Sequence, residues 1–176
     1  MLWLEISADY TCNNRCLGCF SVAAEGAPSP SMASAEAIET LVWGRKGGAR
    51  HLWRGGGDPT MRKDLFLLVA QARRLGYERV KLETNGVLLA EPDYTRRLVA
   101  AGVTEVNFAV KGASEATHDR LTRTPGCHAA MVRAMANVRA HGLPMEADVL
   151  VYRSNAAELP AIVARYAEAG VSRFHV

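Results

Sequence analysis

No stretch of this 176-residue sequence approaches the roughly 20 consecutive apolar residues that a membrane-spanning helix needs. The opening Met1-Leu2-Trp3-Leu4-Glu5-Ile6 lacks the charged region and long apolar stretch of a secretory signal. Net charge is only +3 and no block of Lys or Arg occurs, so the charge implies neither a nucleic-acid nor a membrane partner. There is no low-complexity tract, no long linker and no sign of a second domain. No Ser/His/Asp set has the context of a nucleophile elbow, which argues against that class of hydrolase. Cysteine is scarce, with 4 in the chain, yet Cys12, Cys16 and Cys19 stand together. A disulfide scaffold would spread its cysteines. This cluster points to a reducing, cytoplasmic setting and to a metal or cluster site.

What is present reads as an ordinary globular domain, 49% apolar and 22% charged. Periodicity alternates between strand and helix. Strands are expected over Leu2–Ala8, Arg50–Trp53, Arg79–Thr84, Glu105–Val110, Met145–Tyr152 and Val171–Val176. Between them run apolar helical faces: Ile38, Leu41 and Val42; Leu65, Leu68 and Val69; Tyr94 and Leu98; Met131, Met135 and Val138; Leu159, Ile162 and Tyr166. Ser34 is a candidate cap for the first helix, and Asn155 with Glu158 a capping box for the last. Ser21–Ser34 reads as an irregular loop. Each helix stops at a glycine and a strand follows within a few residues, the pattern of a parallel sheet with crossover helices.

Both a doubly wound sheet and an open barrel fit that pattern. The unusual residues decide between them, because they fall after five consecutive strands: Cys12–Cys19, Gly56–Thr60, Thr84–Gly86, Lys111-Gly112 and Arg153–Asn155. In βα folds the carboxyl ends of the strands carry the active site. Five strand tips feeding one site favour an α/β fold with an open, partial (β/α)6 TIM-like barrel of parallel strands. Ending inside a strand, the chain reads as one domain, 1–176, of a longer protein.

Three clustered thiolates are one short of a closed zinc site or an ordinary electron-carrying 4Fe–4S cluster, each of which takes four ligands. Three on a cubane leave one iron open to a cofactor or substrate. The spacing C-x3-C-x2-C after a first strand resembles the cluster loop of the radical S-adenosylmethionine (SAM) superfamily. Gly56-Gly57-Asp58-Pro59-Thr60 resembles that family's Gly-Gly-Glu-Pro-Thr segment, and Thr84-Asn85-Gly86 its third-strand ending. Val106–Gly112 with Glu115–Leu121 is similar to its fourth strand and the segment after that strand. The ordered set covers nearly the whole chain and is close to molybdenum-cofactor-synthesis-like and peptide-maturase-like members.

The resemblance implies a 4Fe–4S cluster on Cys12, Cys16 and Cys19. It also implies SAM held by Gly56, Gly57, Asp58 and Asn85, with Phe20, Lys111 and Arg153 as further candidates. One electron from a low-potential donor, flavodoxin or ferredoxin, would cleave SAM to a 5′-deoxyadenosyl radical that abstracts hydrogen from a small-molecule or peptide substrate. The chain departs from the pattern in places. Gly18 stands where relatives often carry an aromatic residue near the adenine, and Phe20 is the candidate replacement. Asp58 stands for Glu. Ala109 and Lys111 stand where Ser and Asp are common. Lys111 has three readings: a partner for the SAM carboxylate, a partner for an acidic substrate, or a solvated lysine. Arg153 is either a carboxylate clamp or a solvent-facing charge.

Alternation on the fourth strand turns Asn107, Ala109 and Lys111 inward and Val106, Phe108 and Val110 toward the helices. Glu83 and Asn85 share a face, as do Glu146 and Asp148, and buried charges there must be paired. Such a network is either structural or substrate-reading. Cys127 reads as a buried or incidental thiol near a helix start, against a minor reading as a fourth ligand or reactive thiol. His118 reads as structural, beside Asp119. Two other functions remain open on the sequence: a degenerate domain of the same family acting as a binding module, and a non-catalytic zinc or iron–sulfur protein.

Overall fold

The computed structural model describes residues 2–19 and 31–176. Six strands, β1 (Trp3–Ser7), β2 (His51–Gly55), β3 (Arg79–Thr84), β4 (Glu105–Val110), β5 (Met145–Val149) and β6 (Val171–His175), form one sheet. Every neighbouring pair is parallel, and spatial order equals chain order. The helices are α1 (Ser34–Lys46), α2 (Leu65–Arg74), α3 (Pro92–Ala101), α4 (Glu115–Thr122), α5 (Cys127–Ala140) and α6 (Leu159–Glu168).

The strand order carries the architecture. A doubly wound sheet reverses its order at a switch point, and this sheet has none. Right-handed crossovers in a monotonic order put every helix on one side. The other side becomes the inside of the curl. Among the described residues β1 and β6 do not pair, so the barrel is open, as expected.

Alternation then sorts the side chains. Leu52, Val80, Leu82, Val106, Phe108, Val110, Ala147 and Val149 face the helices and join Leu41, Leu65, Val69, Leu98, Met131, Met135, Ile162 and Tyr166 in one buried core. Phe108 is fully buried, and its truncation to Ala would cost about 3–5 kcal/mol. The residues of opposite parity line the interior, and on β3 to β6 several of them are charged and paired. Arg79 binds Glu105 through both guanidinium arms, one at 2.9 Å. Glu146 meets Lys81 and Arg173 at 2.5 Å each and His175 at 3.2 Å. The Lys81 ammonium also lies over the rings of Trp3 (5.3 Å) and Trp53 (5.8 Å). This paired layer is the barrel's floor, and it accounts for Glu146 as structural.

Several local expectations are corrected. Strands β3 and β4 have the expected bounds, but β1 and β5 are shorter. Strand β5 stops at Val149 because Asn155 folds the next residues into a turn, accepting from the Tyr152 N–H at 2.6 Å and donating to Leu150 O at 2.9 Å. Asn155 therefore forms no capping box. Glu158 instead accepts from the Ala113 N–H at 3.1 Å and from the Thr117 hydroxyl, tying α6 to α4. Ser34 does not cap α1 either. Its hydroxyl donates at 2.6 Å to Asp64, which Arg62 grips bidentately at 2.9 and 2.7 Å. A fixed carboxylate is the stronger partner for that hydroxyl. Of the loop expected over Ser21–Ser34, residues 21–30 lie outside the described residues. Helix α4, unforeseen, is capped by Ser114, whose Oγ accepts from the Thr117 N–H at 3.3 Å. No helix among the described residues is long and apolar enough to cross a membrane.

Candidate active site at the strand tips

The cysteine loop follows β1 and is held from five directions by groups distant in sequence. The loop after β2 donates its Gly57 and Asp58 N–H groups to Asp9 O (2.9 Å) and Thr11 O (2.8 Å). The last turn of α4 offers Leu121 O and Thr122 O, orphan carbonyls of a helix end, to the N–H groups of Leu17 (2.8 Å) and Arg15 (3.1 Å). The tip of β3 sends the Asn85 amide to Asn13 Oδ1 at 2.6 Å and to Cys12 Sγ at 3.7 Å. The start of α5 is reached by Asn14, whose amide donates to Cys127 Sγ at 3.1 Å. The loop after β5 contributes the Tyr152 hydroxyl, which donates to Leu17 O at 2.6 Å.

These contacts explain the glycine pair. A Cβ on Gly56, where φ is +118°, would overlap the carbonyl oxygen of Asp9, and one on Gly57 would overlap Thr11 O. The glycines let two backbones close on each other, a need nearer than any approach to a ligand.

The three cysteines line one cavity of about 350 Å³, with Gly55, Gly56 and Gly57 on one side and Glu83, Asn85, Lys111 and Tyr152 on the others. All three thiols are half-buried and free of disulfides. Burial pushes the Cys12 thiol up to about 11; the Asn14 N–H opposes this, and the charges of Asp58, Cys16 and Cys19 add to it. Burial also raises Cys16, against the pull of the Lys111 ammonium beside it. Glu83 is raised to about 7, first by burial and then by the Asp148 and Glu5 carboxylates, with Lys111 opposing. Asp148 accepts from the Asn107 amide at 2.7 Å.

Seven of the expected site residues therefore meet in one place: Cys12, Cys16, Cys19, Gly56, Gly57, Asn85 and Lys111. Lys111 is buried, not solvated. Asp58 does not line the cavity. Its buried carboxylate accepts from the Thr60 N–H (2.9 Å) and hydroxyl, the Thr84 hydroxyl (2.9 Å) and the Asn85 N–H (2.8 Å), so it welds the β2 loop to the end of β3. Arg153 is exposed and does not line the cavity. Phe20 lies outside the described residues. His118 is buried and structural, as expected, but not through Asp119. Its Nδ1 accepts from the Lys111 N–H at 3.4 Å and its Nε2 sits 3.7 Å from Cys127 Sγ. Asp119 instead caps α5, accepting from the Gly126 and His128 N–H groups at 2.5 and 2.8 Å. Cys127 is the buried first residue of α5. Tyr152 and Asn14 were missed, because Tyr152 belongs to no motif, Asn14 is an unspecified position between Cys12 and Cys16, and their partners are remote in sequence.

The donor set can be tested against the groups it is expected to hold. Among the described residues no three His, Cys, Asp or Glu side chains converge as a single metal ion requires. A multi-iron cluster binds its ligands to different irons and needs no such convergence. Three thiols around one cavity, with an amide directed at Cys12 and an ammonium beside Cys16, fit that larger group.

Comparison with known proteins agrees with this geometry. The family model described as "Radical SAM superfamily" matches residues 8–152. The chain is 36% identical over 121 residues to the PqqA peptide cyclase of Gluconobacter oxydans, covering 69% of this chain and 33% of that protein. It is 26% identical over 173 residues to a probable GTP 3',8-cyclase of Saccharolobus solfataricus, covering 98% of this chain and 55% of that one. The chain thus spans between a third and about half of these relatives. Streptococcus suis SuiB, solved bound to S-adenosylmethionine, superposes over 98% of this chain and 39% of its own with a TM-score of 0.80 at 16% identity.

Proposed function

The chain belongs to the radical SAM superfamily, and on that premise we propose that it is the core of an enzyme that cleaves S-adenosylmethionine reductively to modify a peptide or small molecule. When bound at Cys12, Cys16 and Cys19, a 4Fe–4S cluster with SAM would supply the chemistry, reductive cleavage of a carbon–sulfur bond and radical hydrogen abstraction from substrate. The observation that carries the reading is the gathering of Cys12, Cys16 and Cys19 in one cavity with the tips of β2, β3 and β4.

The chain's own residues have distinct tasks. Cys12, Cys16 and Cys19 would hold the cluster as thiolates, and the protons that burial favours on Cys12 and Cys16 would leave when iron enters. Asn85 donates toward the Cys12 sulfur. Lys111 places a cation next to Cys16 and in reach of a carboxylate bound in the cavity. Gly56 and Gly57 present backbone without side chains at the rim. Leu17, Leu150 and Tyr152 add apolar lining that keeps water from the reacting atoms. The electron would come from a flavodoxin or ferredoxin, and a cytoplasmic setting would keep the thiols reduced. A peptide or small-molecule substrate is supported by relatives whose names specify a peptide and GTP.

The test is anaerobic reconstitution with iron and sulfide, addition of SAM and dithionite, and chromatography for 5′-deoxyadenosine. Product from the native chain, and none from Cys16→Ala, is the expected result. A brown cluster without product would favour the degenerate binding domain. A colourless protein holding zinc would end the reading.

A further inference from the structure

Tyr152 belongs to no motif, yet it touches the middle of the cysteine loop twice. Its hydroxyl donates to Leu17 O at 2.6 Å. Its ring lies over Gly18, where an added Cβ would stand 3.3 Å from Cε1. Leu17 and Gly18 are the two residues between Cys16 and Cys19. Leu17 is thus gripped at both ends, its N–H by Leu121 O (2.8 Å) and its carbonyl by Tyr152. Gly18 holds φ at +64°, a left-handed conformation that favours glycine.

The tyrosine is itself anchored. Its N–H donates to Asn155 Oδ1 at 2.6 Å, and the Asn155 amide donates to Lys111 O at 2.8 Å and Leu150 O at 2.9 Å. The chain of contacts runs from the β4 tip through Asn155 and Tyr152 to the loop. The same β4 tip places the Lys111 ammonium beside Cys16. The ring also forms part of the wall of the cavity that the three cysteines share.

We propose that Tyr152 is a positioning residue: it clamps the Leu17-Gly18 step from across the cavity, fixing Cys16 and Cys19 relative to the tips of β4 and β5. The effect on a cluster rests on the reading that these cysteines hold one. The clamp on the loop does not.

The experiment uses the full chain with Tyr152→Phe, Tyr152→Ala, Gly18→Ala and the Gly18→Ala/Tyr152→Ala pair. Hydrogen exchange of the metal-free proteins, read by mass spectrometry over residues 12–19, comes first. Loss of one hydrogen bond in Tyr152→Phe should speed exchange there by about fivefold, with β3 and β4 unchanged. The second readout is the reconstituted cluster's midpoint potential and its electron paramagnetic resonance signal with SAM. Both should shift in Tyr152→Phe and further in Tyr152→Ala. Gly18→Ala should shift them too, and the pair should shift them by less than the sum of the two single variants, because both act on the same contact. If Tyr152→Ala broadens exchange everywhere, it has damaged the fold, and Tyr152→Phe, which keeps the ring, decides. Native exchange over residues 12–19 in both Tyr152 variants would overturn the clamp. Altered exchange with an unchanged potential would overturn its effect on the cluster. A native chain that takes up no cluster would defeat the functional reading, while the exchange result would still judge the clamp.

Discussion

The side-chain amide of Asn85, at the tip of β3, reaches across to the loop after β1 and donates to Asn13 Oδ1 at 2.6 Å and Cys12 Sγ at 3.7 Å. Its own Oδ1 is oriented by the Val87 N–H at 2.9 Å, so the amide cannot turn away freely. A hydrogen bond to a ligand sulfur stabilises the reduced, more negative state of an iron–sulfur cluster. Asn85→Ala should therefore lower the cluster's midpoint potential while leaving iron content near native. A potentiometric titration followed by electron paramagnetic resonance reads this directly. A potential equal to native would remove Asn85 from that role.

Gly57 is tested on stability. A methyl group there would overlap Thr11 O and the Tyr10 backbone. Backbone cannot move aside as a flexible side chain can, so Gly57→Ala should cost about 1–3 kcal/mol. It should also displace the loop carrying Cys12, seen as lost iron uptake in a protein still folded at low temperature. Thermal denaturation and iron analysis check the two effects separately.

Glu83 predicts a pH dependence. Its folded pKa of about 7 lies above the ordinary carboxylate value of 4.5. Between those two values the folded chain holds a proton that the unfolded chain has released. Stability from this group is therefore fully present at low pH, falls as pH rises through the window and is flat above it. Glu83→Gln should abolish that decline, a difference on the order of 2–3 kcal/mol across the window. Urea denaturation of both proteins at pH 5 and pH 8 measures it. Parallel pH profiles would show that Glu83 titrates normally.

Glu146 shows how unequal its contacts with Lys81 and Arg173 are. Lys81 is buried with it, while the Arg173 side chain is 61% exposed. Glu146→Ala strands the Lys81 charge in the barrel and should cost about 3–5 kcal/mol. Arg173→Ala removes a solvent-screened partner and should cost less than about 1 kcal/mol. Burial raises the Glu146 carboxyl, but Lys81, His175 and Arg173 outweigh it and hold the pKa below its usual value. The stabilisation is thus present at neutral pH and fades as pH falls through that lowered pKa. Equal destabilisation by the two variants would refute the ranking.

Much of this was legible in the residues themselves. Alternation placed β3 and β4 at their observed bounds and separated Val106, Phe108 and Val110 from the inward Asn107, Ala109 and Lys111, because the period of a strand is a local property. The capping expectations failed for the opposite reason. Ser34, and Asn155 with Glu158, suit capping by type and spacing, but Asp64, Tyr152 and Thr117 compete for them from other segments. Likewise Asp58, a rim residue by sequence, is turned inward by Thr84 and Asn85, which lie more than 20 residues away.

The fold class, the family and the seven residues that meet in the cavity could be read from residue order alone. Strand period, glycine stops and cysteine spacing are written within a few residues of one another. Which side chains are committed elsewhere, and which residues without a motif matter, depended on the folded chain. Asp58 is consumed in a weld between two loops, Arg153 is turned to solvent, and Tyr152 closes on Leu17 from 135 residues away. A polar group goes to the strongest partner that the fold brings within about 3 Å, and that partner's identity is set by packing between distant segments.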